Sequence, residues 1–229
     1  MNKLIPVIIS GIAVALIVGV GFTSYYAQVV EIQDLRDKSI AMKKADRDIL
    51  NLDHVSPVLG SADAQITIVE FGDYQCEACY HWFHNTRDTL IDNYIETGKA
   101  KLVFVDLVFL GYDSPKAAQA SYCAEDQGKY WEYHTILYTF QDGPPDSGWA
   151  DRDRLNSFAF SLDMNMDEFN DCMDSSKYAK RVNVNEKEAM KQGAQSTPTF
   201  IIIAEDGTTK KFAGAQPYSV FAATIESML

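Results

Sequence analysis

Cys76 and Cys79 stand three positions apart in the run I-T-I-V-E-F-G-D-Y-Q-C-E-A-C-Y, residues 66 to 80. Two thiols at that spacing can close a reversible disulfide and exchange it with a third thiol, because attack of a thiolate on a disulfide sulfur proceeds through a mixed disulfide. The first half of the run alternates apolar and β-branched residues in the manner of a short buried strand, and Gly72-Asp73 supplies a turn signal that ends it. A helix is expected next, running on through Trp82, Phe83, Leu90 and Tyr94, with the cysteines in its first turn, one toward solvent and the other toward the inner side. A thiolate at the first position meets unpaired backbone N–H groups and the positive end of the helix dipole, and both favour the charged form. Cys76 is therefore the expected nucleophile.

The elements that must position this pair can be read on either side of it. K-L-V-F-V-D-L, residues 101 to 107, reads as a second buried strand, so strand, helix and strand form a βαβ unit with a parallel pair. Helical patterns dominate from about 114 to 192: 117–126, 130–140, 152–162, 166–175 and 178–191, interrupted by Gly143-Pro144-Pro145-Asp146. Strand signals return at T-F-I-I-I, residues 199 to 203, followed by a turn at Asp206-Gly207, a short strand over 208–212 and a last helix over 218–228. The expected architecture is a βαβ half, a block of helices and a ββα half.

Composition bounds the function. A chain of 229 residues with 47% hydrophobic content holds one domain of ordinary size plus an appendage or insertion. A formal charge of -12 excludes a nucleic-acid surface, which needs clustered Lys and Arg; the acidity reads as a well-solvated surface, with substrate steering as the alternative. Leu4 to Phe22 carries no charged side chain and has about the length that crosses a bilayer. With Lys3 and the amino terminus as the only positive charges before it, the N-terminus is expected in the cytoplasm and the rest of the chain outside. A cleaved signal peptide is the competing reading, although Thr23-Ser24-Tyr25-Tyr26-Ala27 offers only a poor cleavage site. Residues 24–56 read as a helical stalk, too irregular in apolar spacing for a sustained heptad, and Pro57, Gly60 and Ser61 mark the entrance to the globular part.

This order of elements, with a Cys-x-x-Cys after the first strand, resembles the thioredoxin fold, and in particular its DsbA-like branch, in which a helical domain is inserted into the core. Three stretches carry the resemblance: V-E-F-G-D-Y-Q-C-E-A-C from Val69, A-E-D-Q-G-K-Y-W-E-Y-H from Ala124 and Q-S-T-P-T-F from Gln195. It implies an α/β thioredoxin core over 57–110 and 193–229 and a helical insertion over 111–192; the apolar segment within 1–23 stands ahead of the stalk as a transmembrane anchor or uncleaved signal. It further implies a cis peptide between Thr197 and Pro198, held against the cysteine pair; an ordinary trans turn proline is the alternative. A proline there donates no backbone hydrogen bond, which leaves neighbouring backbone groups free to pair with an extended substrate.

The resemblance also gives Glu70, six residues before Cys76, the place of a buried acid that relays the proton of Cys79; the alternative is a strand-end Glu in water. The dipeptide between the cysteines departs from the family pattern. Well-known DsbA-like members carry Pro-His, whereas this chain has Glu77-Ala78, and a negative neighbour should oppose ionisation and make the protein less oxidising. Cys123 and Cys172, 49 residues apart, read outside the cytoplasm as a structural disulfide, a second redox pair being the sharper alternative. Cys76, Cys79, His81 and His84 have the right atoms for zinc but the wrong spacing for a common finger, and no metal or cofactor is expected. His134 reads as a packed or capping residue.

The resulting expectation is a membrane-tethered thiol-disulfide oxidoreductase with catalytic residues Cys76, Cys79, Glu70, Thr197 and Pro198, acting on exported proteins with free thiols and reoxidised by a membrane redox partner. A disulfide reductase or isomerase, and a non-catalytic thioredoxin-fold subunit of a membrane complex, are the alternatives. The sequence does not fix the oligomeric state.

Overall fold

The computed structural model describes residues 50–229, and Gln33 before them. The expected anchor over 1–23 lies outside the described residues, as does the stalk up to residue 49 apart from Gln33. No helix among the described residues is long and apolar enough to cross a membrane.

The buried run before the cysteines forms strand β1, Ile66–Gly72. Parallel to it lies β2, Ala100–Asp106, in a register that sets Ile66 against Ala100 and Glu70 against Phe104. On the other side β3, Thr199–Ala204, runs antiparallel and sets Phe200 against Glu70; β4, Thr209–Ala213, follows antiparallel to β3. The sheet order is β2-β1-β3-β4, which puts the two central strands where both faces are covered and explains their nearly continuous apolar sequences. β4 is an exposed edge carrying Lys210 and Lys211, a charge pattern that discourages pairing with another chain.

Helix α1 spans residues 77–95 and is not uniform. It starts as Glu77–Trp82, widens over Phe83–Arg87, tightens over Asp88–Leu90 and widens again over Ile91–Ile95. Five helices then fill the space between β2 and β3: α2 Ser114–Glu125, α3 Tyr130–Thr139, α4 Arg152–Ser161, α5 Met166–Asp174 and α6 Ala179–Lys191. The last, α7, is Tyr218–Glu226. Two apolar clusters result. Trp82, Leu90, Phe200, Phe221 and Ile225 fill one beside β1 and β3, whereas Tyr74, Phe104, Tyr122, Tyr133 and Phe169 fill the other among the helices of residues 114–191. Trp131 packs against both clusters. A Cβ on Gly72 would run into the Phe104 ring, so only glycine lets the strand end pass that close.

Candidate active site

Cys76 is the N-cap of α1. Its backbone is extended, its own N–H donates to the Asp73 carbonyl at 3.0 Å, and its sulfur accepts from the Cys79 N–H at 3.4 Å. The sulfur thus sits where the helix has unsatisfied donors, as the sequence implies. Thr197 arrives from the start of β3, and the Cys76 thiol donates to its carbonyl oxygen at 3.3 Å. The Thr197–Pro198 peptide is cis. Cys76 keeps only 7% of its surface, with the Thr197 carbonyl oxygen 3.3 Å from its sulfur, so the expectation of a cysteine facing solvent needs correcting. Cys79, one turn on, is fully buried.

Burial and hydrogen bonding separate the two thiols. A hydrogen bond from the Cys79 thiol, with Thr197 and the backbone amides of Cys79 and Ala78 adding to it against the cost of burial, holds the Cys76 pKa down to about 6. Burial, reinforced by the neighbouring Cys76 and Glu70, pushes the Cys79 thiol well above its ordinary value. Near neutral pH the pair therefore holds one thiolate, at Cys76, and one proton, at Cys79. The Glu77 side chain is 91% exposed and leans toward His81 at 3.6 Å. The expected opposition from Glu77 is screened by water.

Glu70 does not point to water. It shares the face of β1 with Ile66 and Ile68, retains 1% of its surface, and neither carboxyl oxygen has a hydrogen-bond partner among the described residues. Burial, opposed by the Arg87 guanidinium and assisted by the Cys76 charge, raises its pKa to about 8. It is thus an acid that keeps its proton near neutral pH while interacting with both cysteines.

The composition of the motif did not disclose several supporting residues. Asp73 was legible only as a turn signal, yet it is fully buried, and its carboxylate accepts from Gln75 N–H at 2.9 Å, from the Ser114 hydroxyl at 2.7 Å and from Leu110 N–H at 3.2 Å. Tyr138 donates to the Asp73 carbonyl at 3.3 Å. Arg87, buried inside α1 over the Phe83 ring at 4.9 Å, supplies the positive charge that acts on Glu70. Its only sequence signal is a basic residue on the helix face that carries Phe83 and Leu90.

The histidines stand apart from this chemistry. His84 packs on the Tyr80 ring at 4.2 Å and His81 faces Glu77, so neither joins the cysteines; no metal-ligand cluster occurs among the described residues. His134 is buried, its Nδ1 is 2.9 Å from the Tyr74 hydroxyl, and desolvation holds its pKa well below the usual value, so it packs as a neutral ring. Cys123 of α2 and Cys172 of α5 form a disulfide with an S–S distance of 2.02 Å, within the helical block and separate from Cys76 and Cys79.

Among families of known proteins, the one whose model is described as thioredoxin matches residues 53–227, nearly all of the described residues. The chain belongs to the thioredoxin family. Among thioredoxin-family relatives, disulfide bond formation protein D of Bacillus subtilis (strain 168) is 32% identical over 178 residues, covering 76% of this chain and 77% of that one. The crystal structure of oxidised BdbD from Bacillus subtilis superposes with a TM-score of 0.69 at 28% identity, covering 78% of this chain and 94% of that one. Wolbachia pipientis alpha-DsbA1, at 24% identity and a TM-score of 0.70, covers 79% of this chain and 93% of its own and shares the fold. The chain is a DsbA-like thiol-disulfide oxidoreductase with a thioredoxin fold.

Proposed function

We propose that this oxidoreductase introduces disulfides into exported proteins through the pair Cys76-Glu-Ala-Cys79, from a position on the extracytoplasmic face of a membrane. The observation that carries the reading is the split between the two thiols: a Cys76 thiolate stabilised to about pH 6 beside a Cys79 that holds its proton. Stabilising one thiolate stabilises the reduced protein, which makes the disulfide an oxidant.

A client thiolate attacks Cys76 Sγ of the disulfide, the bond to Cys79 breaks, and a mixed disulfide forms. Cys79 leaves and takes a proton, which the raised pKa of Glu70 allows that carboxyl to supply. A second client thiolate attacks the client sulfur, Cys76 leaves as its stabilised thiolate, and two electrons have passed from client to enzyme. The client is left with a disulfide. A membrane redox partner then removes the two electrons and restores the pair, and Leu4 to Phe22 holds the enzyme beside that partner as a single-pass anchor with its N-terminus in the cytoplasm. The Thr197 carbonyl lies against Cys76 ahead of the cis bond to Pro198, and the backbone N–H of Thr197 is what this segment offers the client.

The test is oxidative refolding of a reduced, multi-cysteine secreted protein by the full chain in detergent, with Cys76→Ala as control. Stoichiometric disulfide gain with wild type and none with the control supports the reading; equal yields contradict it.

A further inference from the structure

Beside Cys76 lies an open groove of about 600 Å³. One wall is the start of α1, with Cys76, Ala78 and Tyr80; the other is the loop holding Pro144 and Pro145. Any thiol that approaches Cys76 from this side brings its flanking residues over that groove, because the sulfur is itself part of the lining.

Gln75, the residue before the nucleophile, fastens the two walls together from below. It is 4% exposed, and its amide uses its full bonding capacity. The Nε2 donates to the Ser114 hydroxyl at 2.8 Å and to Asp146 Oδ1 at 3.4 Å; the Oε1 accepts from Asp146 N–H at 2.7 Å and from Trp149 Nε1 at 3.2 Å. Asp146 has a φ of 59°, a left-handed conformation that a non-glycine residue keeps only when its surroundings impose it. Its side chain accepts in addition from Asp113 N–H at 3.0 Å. The loop wall is thus pinned at its end, and the main pin belongs to the residue covalently joined to Cys76. The groups that lower the Cys76 pKa most are the Cys79 thiol, Thr197 and the backbone amides of Cys79 and Ala78.

We propose that Gln75 is a positioning residue for protein clients: it holds the loop of residues 141–146 as a fixed wall for the residues that flank the client cysteine, without acting on the Cys76 sulfur. The proposal rests on the client-oxidation reading above. It separates two properties that a purely structural role would move together, the rate with an extended client and the ionisation of the nucleophile.

The experiment compares single-turnover rates of the oxidised full chain toward a reduced two-cysteine peptide and toward dithiothreitol, for wild type, Gln75→Ala and the double variant Pro144→Gly/Pro145→Gly. The double variant loosens the wall and leaves Gln75 in place, so it decides the matter if Gln75→Ala fails to fold. The expected result is a peptide-to-dithiothreitol rate ratio lower by about fivefold or more in each folded variant, the factor expected for losing a buried hydrogen-bonded support. The alkylation midpoint of Cys76 stays near pH 6. A ratio within about twofold of wild type in the variants overturns the inference alone. So does a midpoint that rises in step with the lost rate. A wild-type chain that oxidises dithiothreitol but not the peptide overturns the client reading and this inference with it.

Discussion

The sulfur of Cys76 lies 3.3 Å from the carbonyl oxygen of Thr197, across 121 residues of sequence. The contact joins the helix start that follows β1 to the segment ahead of β3, the two halves of the thioredoxin core. The helix end supplies one set of donors to the sulfur from residues next to it, and the segment ahead of β3 closes over it from far away.

The largest influence lowering the Cys76 pKa is the hydrogen bond from Cys79, so Cys79→Ala should raise it from about 6 toward the ordinary thiol value. Thiolate absorbance in the ultraviolet, followed against pH in the reduced protein, measures this directly. In the reduced wild type, a Cys76 pKa below its unfolded value means that the unfolded chain binds the extra proton. Stability contributed by this group is therefore fully present above about pH 9 and is lost as the pH falls through about 6. An unchanged midpoint in Cys79→Ala would show that backbone donors alone set the ionisation.

Glu70 gives the opposite sign. Its pKa is raised from 4.5 to about 8, so between those values the folded protein holds a proton that the unfolded chain has released, and stability falls as pH rises. Glu70→Gln should therefore stabilise the reduced protein by about 3 kcal/mol at pH 7, with the gain vanishing below about pH 4.5. The same substitution removes the proposed proton donor to the leaving Cys79 and should slow formation of the mixed disulfide by about 10²-fold. Denaturant unfolding at several pH values and quenched-flow trapping check the two effects.

Removing the Cys123–Cys172 bridge tests stability apart from catalysis. It closes a separation of 49 residues, for which the chain-entropy relation gives about 4 kcal/mol. Cys123→Ala/Cys172→Ala should lose stability of that order and keep the thiol titration of Cys76. Mass spectrometry under mild reduction should find 123–172 intact after 76–79 has opened; simultaneous opening would argue for a linked redox function.

Glu77→His should lower the Cys76 midpoint and make the disulfide more oxidising, but only modestly. The Glu77 side chain is 91% exposed, and an exposed charge of this kind is worth about 1 kcal/mol or less, under about one pH unit. A redox titration against glutathione measures it. No change, or a more reducing variant, would remove the charge explanation for the departure from Pro-His.

Much of this site could be read before any coordinates. Alternation of apolar and β-branched residues located β1, the continuous run T-F-I-I-I located β3, the turn at Gly72 placed the cysteines at a helix start, and the T-P-T-F run located the segment that meets them. What remained hidden depends on burial, which sequence reports poorly for polar residues. Asp73 and Gln75 carry the composition of a surface turn, yet both are buried because helices from residues 114–191 close over them and supply Ser114 and Trp149 as partners. Arg87 is hidden for the same reason: the widened turn over Phe83–Arg87 directs it inward toward Glu70. Cys76 was expected at the surface for lack of any local sign that a segment 121 residues away would cover it.

Alkylation of the reduced full chain by iodoacetamide across pH, with peptide mapping to assign the label, tests the nucleophile assignment most directly. Labelling confined to Cys76 with a midpoint near 6 is the predicted result. A midpoint near the ordinary thiol value of 9, or label appearing first on Cys79, would contradict it.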